Sequence, residues 1–375
     1  MRENNYQSKR HKKKRRRNEN GILFGSIILC IVTLSAITIC LMMVFKYRSV
    51  QMENTVVMNE LEAIRMDETV TYTQGEVDAM LALAKEEAVS QTSEEVTSEF
   101  LNKLKELMLS GDGTTAMLRY FYPDEIIVAD AGEFHFFPIL DSLKHHTYEP
   151  ANFVLDGEQI MSYYENGENI AHKGIDVSKY QGEIDWEKVA DDDVEYAFIR
   201  LGIRGYSEGE IMEDETFEDN IKGARQNDID VGVYFFTQAT SVEEAEEEAQ
   251  YVLDTIEPYK VTYPVVIDVE AVNNSDARTK ELTKEERTEY CIAFCEMIKN
   301  AGYTPMIYGN LKTFMLLLDL EQLEEYEKWF ALYDEQVYYP YDFKVWQYTD
   351  EGKVDGIDVN VDLNISFGDW SDGGQ

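Results

Sequence analysis

From Gly174 onward, short apolar runs alternate with amphipathic stretches in which apolar residues recur every three or four positions. The first pattern predicts buried strands and the second predicts helices lying on them, together an α/β architecture. The strand runs are GIDVSK (174–179), YAFIRLG (196–202), VGVYFFTQ (231–238), YPVVIDVE (263–270), TPMIYGN (304–310), KWFALYD (328–334), KVWQYT (344–349) and DGIDVNVDLN (355–364). Helix starts are marked between them: Ser241 with Glu244 and Thr283 with Glu286 both fit the capping box, and Gly302 stands where a helix should stop. Eight strands in about 200 residues predict a modified β/α barrel over 173–375, with some helices short or missing.

The pattern before residue 173 differs. Residues 46–113 are polar and Glu-rich, with an apolar stripe through Ala79, Met80, Leu83, Val89, Phe100, Leu104, Leu107 and Met108 that predicts a helical stalk or linker ended at Gly111 and Gly113. Residues 114–172 contain the strand-like runs EIIVAD and GEFHFFPIL and are expected to form a small accessory region.

Charge sharpens the picture of the N-terminus. Residues 1–20 carry nine Lys and Arg against two Glu, a net of +7, whereas the rest of the chain has 25 basic and 71 acidic residues, a net of −46. Between them, residues 21–45 contain no charged residue. As a helix rising 1.5 Å per residue this run is about 37 Å long, enough to cross about 30 Å of hydrocarbon. A cleaved signal peptide has a shorter apolar region and a small-x-small exit, which this run lacks, so an uncleaved anchor is expected. The basic block then stays in the cytoplasm as a tail, and the chain after residue 46 lies outside the cell. An acidic ectodomain excludes nucleic acid as its partner. Cys30 and Cys40 fall in the apolar run; Cys291 and Cys295, four apart on a helical pattern, are read as small core residues.

The chemistry is suggested by acids at strand ends. Asp268 and Glu270 interrupt the core run YPVVIDVE, and residues i and i+2 of a strand point to the same side, roughly 6.5–7 Å apart. Asp176 in the first strand and Asp362 in the last stand in comparable places, and in a closed barrel those two strands are neighbours. A turn cap at Asp176 or a hard-cation site is the blander reading of such acids. All five histidines precede Lys173, so a Ser-His-Asp triad, a Cys-His dyad or a His-rich zinc site is not available to the barrel. A phosphate-binding Gly-rich loop is also lacking. Carboxylate chemistry remains, of which glycoside hydrolysis is the commonest form, and it implies no cofactor and no metal. Tyr234, Tyr308, Trp346 and Tyr348 fall near expected strand ends, where sugar rings stack or where they simply fill the barrel; Arg200 is placed to pair with one of the acids.

Taken in order, GIDVSKYQGEIDW, YAFIRLG, VGVYFFTQA, YPVVIDVE, GYTPMIYGN, WFALYD, VWQYT and VDLN resemble the glycoside hydrolase family 25 lysozymes over about residues 173–370. The resemblance implies cleavage of the β-1,4 bond between N-acetylmuramic acid and N-acetylglucosamine in peptidoglycan glycan strands. It assigns Glu270 as general acid, Asp268 as its partner carboxylate, and Asp176 and Asp362 as the other acids of the groove. Many members have Tyr-His-Phe where this chain has Tyr234, Phe235 and Phe236, a departure expected to alter the grip on substrate. Retention through a close carboxylate and assistance by the sugar's own 2-acetamido group both remain open. The leading expectation is a membrane-anchored muramidase for local wall remodelling; the alternative is a peptidoglycan-binding scaffold that does not cut. Nothing in the sequence names a protein partner.

Overall fold

The computed structural model describes residues 100, 102–106 and 114–370, apart from 158, 335 and 369. The basic tail, the apolar run 21–45 and most of the stalk lie outside the described residues; among the described residues no helix is long and apolar enough to cross a membrane. The chain divides into two compact units, with the boundary between Phe121 and Tyr122. In the first, helix α1 (Thr114–Phe121) buries Phe121 with Phe100 and Leu104, and the Phe100 and Phe121 rings lie 5.0 Å apart.

The second unit begins with an antiparallel hairpin, β1 (Glu125–Asp130) and β2 (Glu133–Pro138), and a three-stranded antiparallel sheet, β3 (Phe153–Leu155), β4 (Met161–Glu165) and β5 (Glu168–Asn169). The barrel follows: β6 (His172–Val177), β7 (Tyr196–Arg204), β9 (Asp230–Phe236), β10 (Val265–Asp268), β11 (Pro305–Asn310), β12 (Glu327–Ala331), β13 (Val345–Gly352) and β14 (Val361–Ser366), with β8 (Ile211–Glu213) a short hairpin partner of β7. Each of the eight predicted runs is a strand. The seven from β6 to β13 are parallel to their neighbours, and β14 closes the ring antiparallel to both β13 and β6.

Helices α2 (Trp186–Asp191), α3 (Phe217–Gln226), α4 (Val242–Ile256) and α5 (Lys284–Asn300) return the chain between the early strands. At α5 the Thr283–Glu286 capping box forms in full, and Gly302 just beyond the helix takes φ +91°, which a residue with a Cβ rarely adopts. At α4 only half of the expected box forms. Ser241 accepts the Glu244 N–H, while the Glu244 carboxylate turns to Thr240 and Arg278.

Two cores follow from the period of two along each strand. Tyr196, Phe198, Val266, Tyr308, Trp329 and Val345 fill the barrel, while their neighbours Ala197, Ile199, Ile267, Ile307, Phe330 and Trp346 face the outer layer. Among the described residues no helix follows β12 or β13. The segment 122–172 covers that side instead. Tyr148 stacks on Phe367 at 4.0 Å and donates to the Phe343 carbonyl; Phe153 lies edge-on to Trp346 at 5.2 Å; the Met161 N–H donates to Tyr348 Oη. The boundary expected at 172/173 therefore runs through a shared core, and the expected region 114–172 is split between the two units.

Candidate active site

The four acids singled out in the sequence come together at the C-terminal end of the barrel. Asp176 stands between the buried Ile175 and Val177 on β6, Asp362 stands directly opposite it on β14, and Asp268 closes β10 with Glu270 two residues beyond. Asp176 and Asp268 are buried; Glu270 and Asp362 are partly buried. The Asp268 and Glu270 carboxyls are within hydrogen-bonding reach of one another. Asp268 Oδ1 is buried with no hydrogen-bond partner among the described residues.

Burial dominates the electrostatics. It pushes the Asp268 carboxyl well above the usual range, with the charges of Glu270 and Asp176 adding and Arg200 opposing. It raises Asp176, with the charge of Asp362 adding and the amides of Asn364 and Gln347 opposing. Glu270 is raised by burial too, against the hydrogen bond with Asp268, and Asp362 is pushed up to about 6. Burial and the neighbouring carboxylates together favour the protonated forms at this mouth.

Gln347 on β13 ties the cluster together. Its Nε2 donates to Asp176 Oδ2 at 2.8 Å and to Asp362 Oδ2 at 3.3 Å, and its Oε1 accepts from Tyr308 Oη at 2.8 Å and Tyr333 Oη at 3.1 Å. Asn364 Nδ2 supplies a second donor to Asp176 Oδ2 at 2.8 Å and its Oδ1 accepts from Trp329 Nε1. Sequence reasoning missed both amides. The signal was there in the period of two, since VDLNIS alternates outward Val361, Leu363 and Ile365 with inward Asp362 and Asn364.

The same period corrects two of the aromatic assignments. Trp346 and Tyr348 flank Gln347 and so point the opposite way, into the outer core, where Trp346 Nε1 donates to the Leu332 carbonyl. Neither reaches the mouth. Tyr308 and the partly buried Tyr234 do face inward; burial raises both phenols, and the nearby carboxylates add to it. Arg200 also faces inward, but its partner is not one of the four acids. Its Nε and Nη2 each lie 2.7 Å from Oδ2 of Asp214, a residue the sequence did not mark. Phe235, at the departure from Tyr-His-Phe, is fully buried on the outer face of β9 and takes no part in the groove. Among the described residues no group of three or more His, Cys, Asp or Glu side chains is arranged to hold a metal ion.

Several known proteins are similar to this chain. The profile of Glycosyl hydrolases family 25 matches residues 175–357. The uncharacterized protein YegX of Escherichia coli K12 is 33% identical over 205 residues, covering 52% of this chain and 69% of YegX. An autolytic lysozyme of Clostridium acetobutylicum is 25% identical over 195 residues, 51% of this chain and 55% of that protein. Among solved structures, the modular autolysin LytC of Streptococcus pneumoniae superposes with a TM-score of 0.49 at 23% identity, over 64% of this chain and 57% of LytC. The chain thus spans little more than half the length of these last two. The profile spans Asp176, Asp268 and Glu270 and stops just before Asp362, and the chain belongs to glycoside hydrolase family 25.

Proposed function

We propose that this protein is a membrane-anchored muramidase that hydrolyses the β-1,4 bond between N-acetylmuramic acid and N-acetylglucosamine in peptidoglycan. The observation that carries the reading is the convergence of Asp176, Asp268, Glu270 and Asp362 at one barrel mouth, where burial favours the protonated forms. Glu270, the more accessible member of the Asp268–Glu270 pair, protonates the departing glycosidic oxygen. Asp268, with its unpartnered Oδ1, accepts the N–H of the substrate's 2-acetamido group and orients the acetamido oxygen toward the anomeric carbon. Asp176 and Asp362, held by Gln347, place negative potential where the oxocarbenium-like centre develops. The uncharged run at 21–45, preceded by nine basic residues, supports an anchor with the N-terminus in the cytoplasm and the catalytic unit outside, suited to local remodelling of the wall.

The test uses the full-length chain, wild type beside Glu270→Gln, incubated with purified peptidoglycan. Released fragments are reduced with borohydride and analysed by mass spectrometry. Reduced muramic-acid ends from wild type alone are expected. If neither chain releases fragments while both sediment with the wall, the protein is a binding scaffold and the muramidase reading falls.

A further inference from the structure

The outward-facing aromatics at the barrel mouth are not the ones the strand pattern singled out. Tyr180 follows β6 in a 3-10 turn, Lys179–Gln181, and 72% of its surface is exposed. Tyr333 lies two residues beyond β12 and is 53% exposed. Large exposed rings are unfavourable in water and are expected to drift unless something holds them. Both are held.

Tyr180 rests on a built support. The Asp214 side chain is completely buried and accepts four hydrogen bonds, one from Arg200 Nε, two from Thr216 and one from the Lys179 N–H at 3.1 Å, with Arg200 Nη2 paired to it at 2.7 Å. Burial works to raise the Asp214 carboxyl, but these donors outweigh it and hold it below the usual range, so it stays ionised. One carboxylate therefore fixes the Arg200 guanidinium and, through Lys179, the turn that carries Tyr180. The guanidinium carbon lies 5.1 Å from the centroid of the Tyr180 ring. Tyr333 is fixed from the other side of the mouth by its bond to Gln347 Oε1, the amide that holds Asp176 and Asp362.

Their placement around the ring gives the two tyrosines a direction. In the order β6, β7, β9, β10, β11, β12, β13, β14, Tyr180 follows β6 and rests against Arg200 of β7, which is four strands from β12, the strand before Tyr333. Strands β10 and β14, which carry Asp268 and Asp362, are also four apart and stand crosswise to them. The strand order thus sets the two tyrosines on opposite sides of the mouth that holds the four carboxyls.

We propose that Tyr180 and Tyr333 are sugar-stacking platforms that grip a glycan strand on both sides of the bond to be cut. The flat apolar face of a pyranose covers each exposed ring, and the strand lies from the β7 side to the β12 side across the carboxyls. This rests on the muramidase reading for the identity of the glycan.

The experiment uses the full-length chain and purified peptide-free glycan of two, four and six sugars. In the Glu270→Gln chain, calorimetry is expected to show affinity rising about tenfold or more from disaccharide to tetrasaccharide. Adding Tyr180→Ala or Tyr333→Ala removes most of that rise, and Tyr180→Leu, which keeps apolar bulk without a ring, behaves like Tyr180→Ala. In the Glu270-containing chain, Tyr180→Ala raises KM about five- to tenfold, more than kcat falls. Affinity that does not grow with length, or that grows equally in the tyrosine variants, overturns the platforms. A Glu270 chain that fails to cut, while the Glu270→Gln chain keeps the tyrosine-dependent rise, overturns the muramidase reading and leaves the platforms standing.

Discussion

A carboxyl buried beside other carboxyls opposes folding once it ionises, and Asp362 shows the size of the effect. Burial pushes it up to about 6 from 3.8, the hydrogen bond with Asp176 opposing and the charge of Asp350 adding. The folded state therefore binds this proton more tightly than the unfolded chain, and stability falls as pH rises from about 4 through about 6. Asp362→Asn keeps an oxygen for Gln347 Nε2 but cannot ionise. It is expected to raise Tm by a few degrees at pH 7.5, to leave Tm unchanged at pH 4, and to lower activity. Thermal scans of both chains at the two pH values check this; an equal shift at both would mean that ionisation is not the cause. The acids themselves were legible in the sequence because charge inside an apolar run is conspicuous. Gln347 was not, since a neutral amide between Trp346 and Tyr348 leaves no such mark, and only the alternation of the strand reveals that it points inward.

At the scale of elements, that alternation decides which departures from the family pattern reach the substrate. On β9, Tyr234 faces the barrel interior, so Phe235 must face outward, where it packs in the outer core with the Tyr251 ring of α4 at 6.3 Å. The change from His to Phe at this position thus concerns packing between strand and helix rather than the grip on substrate. Phe235→His is expected to destabilise the protein by about 1–3 kcal/mol, because an imidazole replaces a fully buried ring without a provided partner. Denaturant unfolding measures the loss, and kcat/KM on peptidoglycan is expected to stay within twofold; a large gain in kcat/KM would return the position to the groove. The eight barrel strands were readable because strands buried on both faces write continuous apolar runs. The three-residue β8, too short to carry a period, was not.

For the whole molecule, the sequence change near residue 173 marks a change of architecture but not the edge of a folding unit. The residues before it form small antiparallel sheets, and those after it form a barrel, yet the compact unit starts at Tyr122. Local patterns report which elements form; they do not report that, among the described residues, no helix lies outside β12 and β13 and a cover is needed there. Ile126, Val128, Leu143, Met161 and Tyr163 share the outer core with Phe343, Trp346 and Ile365, and Tyr148 and Phe153 pack on it. At about 1.5–3 kcal/mol for each large apolar side chain, these seven contribute on the order of 10 kcal/mol, comparable with the entire net stability of a domain at about 5–15 kcal/mol. A chain of residues 173–375 is therefore expected to lose fixed tertiary structure, with weak near-ultraviolet dichroism, strong dye binding and no activity, although every acid of the site is present. A chain of residues 122–375 is expected to unfold cooperatively and to match the full-length protein in kcat/KM on soluble glycan. Cooperative unfolding of the shorter chain would show that the barrel closes without its cover and that Tyr148, Phe153 and Tyr163 only shield it.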